Sequence, residues 1–88
     1  MLTIYKYDAP SPGTIRYIDL PQGAKIIRFG IQEREYFLWA IVETNNPTEE
    51  REFKTVATGR PLQETDIYFG TLEEDRFIWH LFEIKQEK

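Results

Sequence analysis

The 88-residue chain contains no cysteine, a single histidine (His80), a single serine (Ser11) and one methionine. Without cysteine there is neither a disulfide framework nor a thiolate metal site, so stability must come from packing, and a cytoplasmic location is the default expectation. A Ser-His-acid triad would require Ser11, inside the turn Asp8-Ala9-Pro10-Ser11-Pro12-Gly13, to meet His80 near the other end of the chain beside an oxyanion hole. One histidine begins no zinc spacing pattern, and no EF-hand, P-loop or dinucleotide fingerprint is present, because Gly59 and Gly70 stand alone. The expectation is therefore a protein that is not an enzyme and has no metal and no cofactor. No apolar run approaches the roughly 18 residues of a membrane helix, and Met1-Leu2-Thr3-Ile4-Tyr5-Lys6 lacks a signal peptide's basic-then-apolar order. A net charge of −4 gives no bulk attraction to DNA or RNA, so neither membrane nor nucleic acid is an expected partner.

Aromatic residues, in contrast, are abundant, with six Phe, five Tyr and two Trp. Surface scaling for a 10.5 kDa chain gives about 5,400 Å² exposed when folded against about 15,000 Å² unfolded, enough for one modest core. Arg76-Phe77-Ile78-Trp79-His80-Leu81-Phe82-Glu83-Ile84 is apolar or aromatic on both alternating faces, and Tyr36-Phe37-Leu38-Trp39-Ala40-Ile41-Val42 repeats the habit. Phe77, Trp79 and Leu81 require one layer of cover while Ile78, His80, Phe82 and Ile84 require another. In so short a chain, part of that cover is expected from a ligand or from a second subunit, which makes the protein a homo-oligomer.

Apolar residues nowhere keep helical spacing over ten residues, and strand-like segments at 2–7, 14–20, 25–31, 36–44, 50–58, 66–72 and 76–85 are each bounded by turn chemistry. The expected fold is one all-β domain over 1–88 with little or no helix. Its small antiparallel sheet folds as a seven-strand sandwich or a partly open barrel. The end at 86–88 is expected to fray. Leu20-Pro21-Gln22-Gly23 reads as a type I turn, and 25–31 with 36–44 as a hairpin across Gln32-Glu33-Arg34-Glu35. A second hairpin is expected across Glu73-Glu74-Asp75. If consecutive strands run simply up and down, the loops near 8–13, 32–35 and 59–66 share one end with Arg34 and Arg60. Those near 21–23, 45–49 and 73–75 then share the other with Glu49, Glu73, Glu74 and Asp75.

Thr58-Gly59-Arg60-Pro61 carries the most ligand-like chemistry. Gly admits close backbone approach, Thr offers a hydroxyl and Arg presents a planar donor fork suited to phosphate or carboxylate, although the same residues also make an ordinary solvated turn. His80 reads either as a satisfied core or interface histidine or as a ligand contact. Trp39 and Trp79 belong to the core unless one is left over to stack a planar ligand. Arg28 and Arg34 are further phosphate candidates. Glu43 and Glu83, at strand ends, would act as acid or base only if burial raised a pKa; the alternative is that each turns to water or pairs with a neighbouring Arg or Lys. The acidic groups at 33–35, 49–52 and 73–75, interleaved with Arg34, Arg51, Lys54 and Arg76, read as charges that keep strand ends from pairing with other chains.

Tyr5-Lys6-Tyr7, Leu20-Pro21-Gln22-Gly23-Ala24-Lys25-Ile26, Leu38-Trp39-Ala40-Ile41-Val42, Thr58-Gly59-Arg60-Pro61 and Phe77-Ile78-Trp79-His80-Leu81-Phe82-Glu83 follow one another in that order. Together they resemble a family of small bacteriophage and prophage proteins with a domain of unknown function, whose pattern runs LPxGAKI, LWA, TGxP, WHxFE. Many members carry His where this chain has Arg60. The resemblance implies a phage context, acting in the cytoplasm of an infected bacterial host, and no established activity. The expected function is a counter-defence sponge that sequesters a small phosphorylated nucleotide, of the cyclic ADP-ribose or cyclic dinucleotide type, without cleaving it. Its contacts would be Thr58, Gly59, Arg60 and His80, with Trp39 or Trp79 stacking the base and Arg28 or Arg34 assisting on phosphate. The rival expectation is a protein-binding, inhibitory or virion-assembly module with no small-molecule ligand.

Overall fold

Turn chemistry cuts the chain into strands, and the pairing of those strands positions the site. The computed structural model describes residues 1–85, so the expected frayed end at 86–88 lies outside the described residues. The seven strands are β1 (Leu2–Asp8), β2 (Ile15–Pro21), β3 (Lys25–Gln32), β4 (Glu35–Glu43), β5 (Thr48–Ala57), β6 (Ile67–Glu74) and β7 (Phe77–Ile84). All pairings are antiparallel, in a three-stranded sheet ordered β1-β4-β3 and a four-stranded sheet ordered β2-β5-β7-β6, with no helix among the described residues. The architecture is a two-sheet sandwich and not a closed barrel. Ile18, Leu20, Phe53, Leu72 and Leu81 from one sheet share a single apolar cluster with Ile26, Phe29, Leu38, Ala40 and Val42 from the other.

Local geometry follows from residue type. The β3–β4 hairpin closes on Glu33 and Arg34, both with positive φ (50° and 69°), as a two-residue type I′ connection demands of its central positions. Between β2 and β3 the Ala24 N–H donates to the Pro21 carbonyl at 3.1 Å, so the turn starts one residue later than the sequence suggests. Pro21 still faces Thr48 as the last residue of β2, and Gly23, at φ 82°, supplies the third position of a type II turn. The β6–β7 connection is likewise tighter than expected. Glu73 and Glu74 remain in the ladder, and Asp75 with Arg76 makes the turn.

Strict up-and-down alternation fails at one place. β5 and β6 both run antiparallel to β7, which lies between them, so they point the same way and residues 58–66 must travel back along the sheet. The 73–76 tip therefore sits at the same end as the 32–35 hairpin, where the Tyr36 hydroxyl donates to Glu74. The expected separation of an arginine end from an acidic end does not hold, because β7 lies between β5 and β6 and leaves those two consecutive strands pointing the same way.

Two polar ties close the sandwich. On β5, Arg51 donates from Nε and Nη2 to Glu83 of β7 at 2.8 and 2.7 Å, and from Nη1 to the Ala24 carbonyl at 2.8 Å. Its guanidinium also lies 5.5 Å from the Phe53 ring. A forked guanidinium matched to a carboxylate and one carbonyl leaves little of its charge unmet. Glu83 is thus a structural partner, in keeping with the pairing alternative, and Glu43 similarly accepts from the Met1 amine and the Asn45 N–H. Inside β5, the buried Thr55 donates its hydroxyl to the Pro10 carbonyl at 2.7 Å and holds the 9–14 connection against the core.

At the seam where the edge strands β3 and β6 meet, a Cβ on Gly70 would lie 3.1 Å from the Phe29 Cβ. That atom is fixed to the β3 backbone and cannot swing aside. Gly70→Ala is expected to destabilise the fold by about 1–3 kcal/mol, the usual cost of overpacking. Urea unfolding with an unchanged m-value checks this, and an equal or higher midpoint would contradict it.

Candidate functional site

On β7, Leu81 faces the core, so His80 and Phe82 face outward from the four-stranded sheet. Over that outer face runs the connection 58–66. Thr58 follows directly on β5 and its hydroxyl lies 2.9 Å from His80 Nε2; on the other side, Thr71 Oγ1 of β6 lies 2.9 Å from His80 Nδ1, with the Tyr68 hydroxyl 2.6 Å beyond it. A hydroxyl–imidazole–hydroxyl ladder thus crosses β5, β7 and β6, and both nitrogens of His80 are engaged. Gly59 adopts φ 91° with nothing within 4 Å of where a Cβ would project, so its backbone is open to an approaching group. The Arg60 N–H donates to the Ala57 carbonyl at 3.3 Å, while its guanidinium has no hydrogen bond or ion pair among the described residues. Val56, Thr58, Gly59, Arg60, Leu62, His80 and Phe82 line a shallow depression of about 210 Å³.

The far end of the connection is pinned. Lys54 Nζ lies 2.6 Å from Asp66 Oδ2, which also accepts the Gln63 N–H at 2.8 Å, and the Asp66 side chain is only 1% exposed. Burial alone would raise the Asp66 carboxyl's pKa. The Lys54 hydrogen bond, the Gln63 N–H and the Lys54 charge together outweigh it and leave the pKa below its ordinary value. Lys54 is opposite Phe82 in the β5–β7 register, so the ion pair fixes the connection over the face that carries the depression.

Thr58, Gly59, Arg60 and His80 are therefore brought together as the sequence reading anticipated. The remaining candidates lie elsewhere. Trp79 packs against the core, stacks on Phe77 at 5.3 Å and 10°, and donates Nε1–H to Glu74 Oε1 at 3.1 Å. Trp39 is on the outer face of the other sheet, with the Arg28 guanidinium 5.2 Å from its ring and Gly30 leaving the room for that contact. Arg34 borders a different recess, with Asp8, Ser11 and Arg16. Within one chain, then, neither tryptophan stacks over the Arg60 corner, and Arg28 and Arg34 do not reach it.

A family model described as "Domain of unknown function (DUF7352)" matches residues 1–88. The chain belongs to this family. No curated protein and no solved structure matches it. The DUF7352 match spans both the β2–β5 half and the β6–β7 hairpin that together build the Arg60 corner, so the corner is part of the family domain itself.

Several contributors escaped the sequence reading. Thr71 could have been found, because the two-residue turn at 75–76 fixes the β6–β7 register that sets Thr71 opposite His80. Leu62, Lys54 and Asp66 carried no local signal, since their contacts depend on the return path of the connection. The Glu74 carboxylate, expected to be a solvated charge, accepts from both Tyr36 and Trp79.

Two pH effects follow. Asp66 has a lowered pKa in the folded state, so its contribution is present above the unfolded carboxylate value of about 4 and is lost as pH falls through the lower folded one. Asp66→Asn should cost about 1–3 kcal/mol at pH 7 and flatten the acid limb of stability against pH, as followed by thermal unfolding; an unchanged acid limb would contradict the pin. At the other extreme, burial, followed by the hydrogen bond to Glu74 and its charge, pushes Tyr36 up to about 12. Tyrosinate formation is thus resisted in the fold, and this stabilisation is present below pH about 10 and lost as pH rises toward the folded value. Tyr36→Phe should remove that part of the alkaline decline, measured by denaturant titration from pH 8 to 11.

Proposed function

We propose that this protein is a phage-encoded binding protein that sequesters a small phosphorylated nucleotide at the Thr58-Gly59-Arg60 corner without cleaving it, acting in the cytoplasm of the infected host. The observation that carries the reading is an arginine fork with no partner among the described residues, set beside an open glycine backbone and above a ladder of hydroxyls and imidazole. Guanidinium and hydroxyl groups bordering one depression suit phosphate oxygens. Val56, Leu62 and Phe82 supply an apolar floor for a base. Retention rather than cleavage fits the way His80 is held: its Nδ1 meets a hydroxyl, not the carboxylate that orients a general base in nucleophilic sites.

At about 210 Å³ the depression is smaller than the roughly 300 Å³ at which enclosing ligand sites begin. Enclosing a cyclic dinucleotide or a cyclic ADP-ribose isomer therefore requires cover from a second copy laid over the same sheet face. Ile15, Tyr17 and Tyr68, each 56% exposed, give that face the apolar surface for it. The same exposure favours the second reading, a protein-binding or virion-assembly module that keeps this face for a macromolecular partner.

Thermal-shift measurement against cyclic dinucleotides and cyclic ADP-ribose isomers separates the two. A ligand at a hundredfold excess over its Kd should stabilise by about 2.7 kcal/mol and be recovered intact after denaturation. Arg60→Ala should then weaken binding by about 1.5–3 kcal/mol with the fold unchanged. Absence of stabilisation by every nucleotide, or equal affinity in the variant, would overturn the sponge reading, and recovery of a cleaved product would make the protein an enzyme.

A further inference from the structure

β1 is a strand of core composition paired on one edge only. Among the described residues its single hydrogen-bonded neighbour strand is β4, and Leu2, Ile4 and Tyr5 are 70%, 55% and 44% exposed. The register couples residue pairs from Leu2↔Glu43 to Asp8↔Phe37, and the flanking bonds run from Thr44 N–H to the Met1 carbonyl and from Ala9 N–H to the Tyr36 carbonyl. Narrow, hydrogen-bonded pairs in an antiparallel ladder recur at every second residue, so the odd-numbered residues of β1 turn their backbone groups to β4. Leu2, Ile4, Lys6 and Asp8 accordingly point their N–H and C=O groups at the open edge.

Other edges are guarded. β3 and β6 meet each other at Phe29 and Gly70, and each carries a register shift. β2 ends in Pro21 and lies beside the acidic start of β5. β1 has no proline, no glycine and an unbroken register; of its two charges, Asp8 closes the strand and Lys6 leans 4.4 Å over the Phe37 ring and donates to Gln32. An unguarded, largely apolar edge of this kind is a template for another strand.

We propose that β1 is a homodimer interface, in which β1 of a second copy pairs antiparallel with it about a two-fold axis at Tyr5 and joins the two three-stranded sheets into one. A second copy fits for three reasons that the strand itself supplies. Antiparallel self-pairing is the isologous contact a two-fold axis generates. Centred on Tyr5, it pairs Leu2 with Asp8 of the other copy and Ile4 with Lys6, using every outward backbone group between Leu2 and Asp8 with no like charges opposed. The axis also sets the two half-exposed Tyr5 rings in a non-hydrogen-bonded pair, where side chains approach most closely. β1 belongs to the other sheet from the Arg60 corner, so this interface and the nucleotide reading stand or fall separately.

Sedimentation velocity and amide exchange by NMR on the full chain test the inference. The expected result is a dimer at micromolar concentration in which the Ile4 and Lys6 amides exchange at least about tenfold more slowly than in an unstructured peptide. A monomer, or a dimer whose Ile4 and Lys6 amides exchange freely, overturns it. Ile4→Pro removes a donor that β4 does not use, a tolerated place for proline on an edge strand, and should yield a folded monomer. A folded Ile4→Pro dimer also overturns the inference, and if that variant does not fold, amide exchange in the unaltered chain decides.

Discussion

The connection between β5 and β6, pinned at its far end by Lys54 and Asp66, is the constraint on which the candidate site depends. Because β7 lies between β5 and β6, the chain leaving Thr58 has to return along the sheet before β6 can start. A free connection of that kind would be an ordinary surface loop. Tied down by a buried carboxylate, it becomes a second layer over half-buried Phe82 and His80, and the depression beside Arg60 is the gap left where the layer begins. The outward face of β7 therefore receives part of its cover from within the chain.

The remaining cover is incomplete, and the distribution of charge shows where. The exposed area of 6167 Å² exceeds the roughly 5,400 Å² expected for this mass, as a thin two-layer body allows. Arg51 is consumed by Glu83 and Ala24, and Glu74 by Tyr36 and Trp79; these ties lock the two ends of the sandwich. The Arg60 guanidinium has no hydrogen bond or ion pair among the described residues. What sets this corner apart from the solvated, interleaved charges of the hairpin tips is the Thr58–His80–Thr71 ladder that lies beside the open Gly59 backbone.

The fold was legible in the sequence to the extent that it is local. Pro, Gly and charged clusters marked every strand end within a few residues, and double-sided apolar strands required two layers. Beyond the β3–β4 and β6–β7 hairpins, the sequence does not say which strand pairs with which. The insertion of β7 between β5 and β6 is a long-range choice made by the joint fit of Leu81, Phe53 and Leu72, and no window around residues 58–66 announces it. The site shared that limit. Thr58, Gly59 and Arg60 stood out because adjacent residue types carry the chemistry, and His80 because it is unique. Arg28, Arg34 and the tryptophans were drawn toward the same ligand by type alone, and the topology sends them to other faces.

The nucleotide site proposed at the Arg60 corner can be checked by mapping amide shifts while a cyclic dinucleotide or a cyclic ADP-ribose isomer is titrated into the isotope-labelled protein. The perturbed amides should be those of Gly59, Arg60, Leu62, His80 and Phe82. Saturable shifts centred instead on Arg28 and Trp39, or on the Arg34 hairpin, would place the ligand on another face and contradict it.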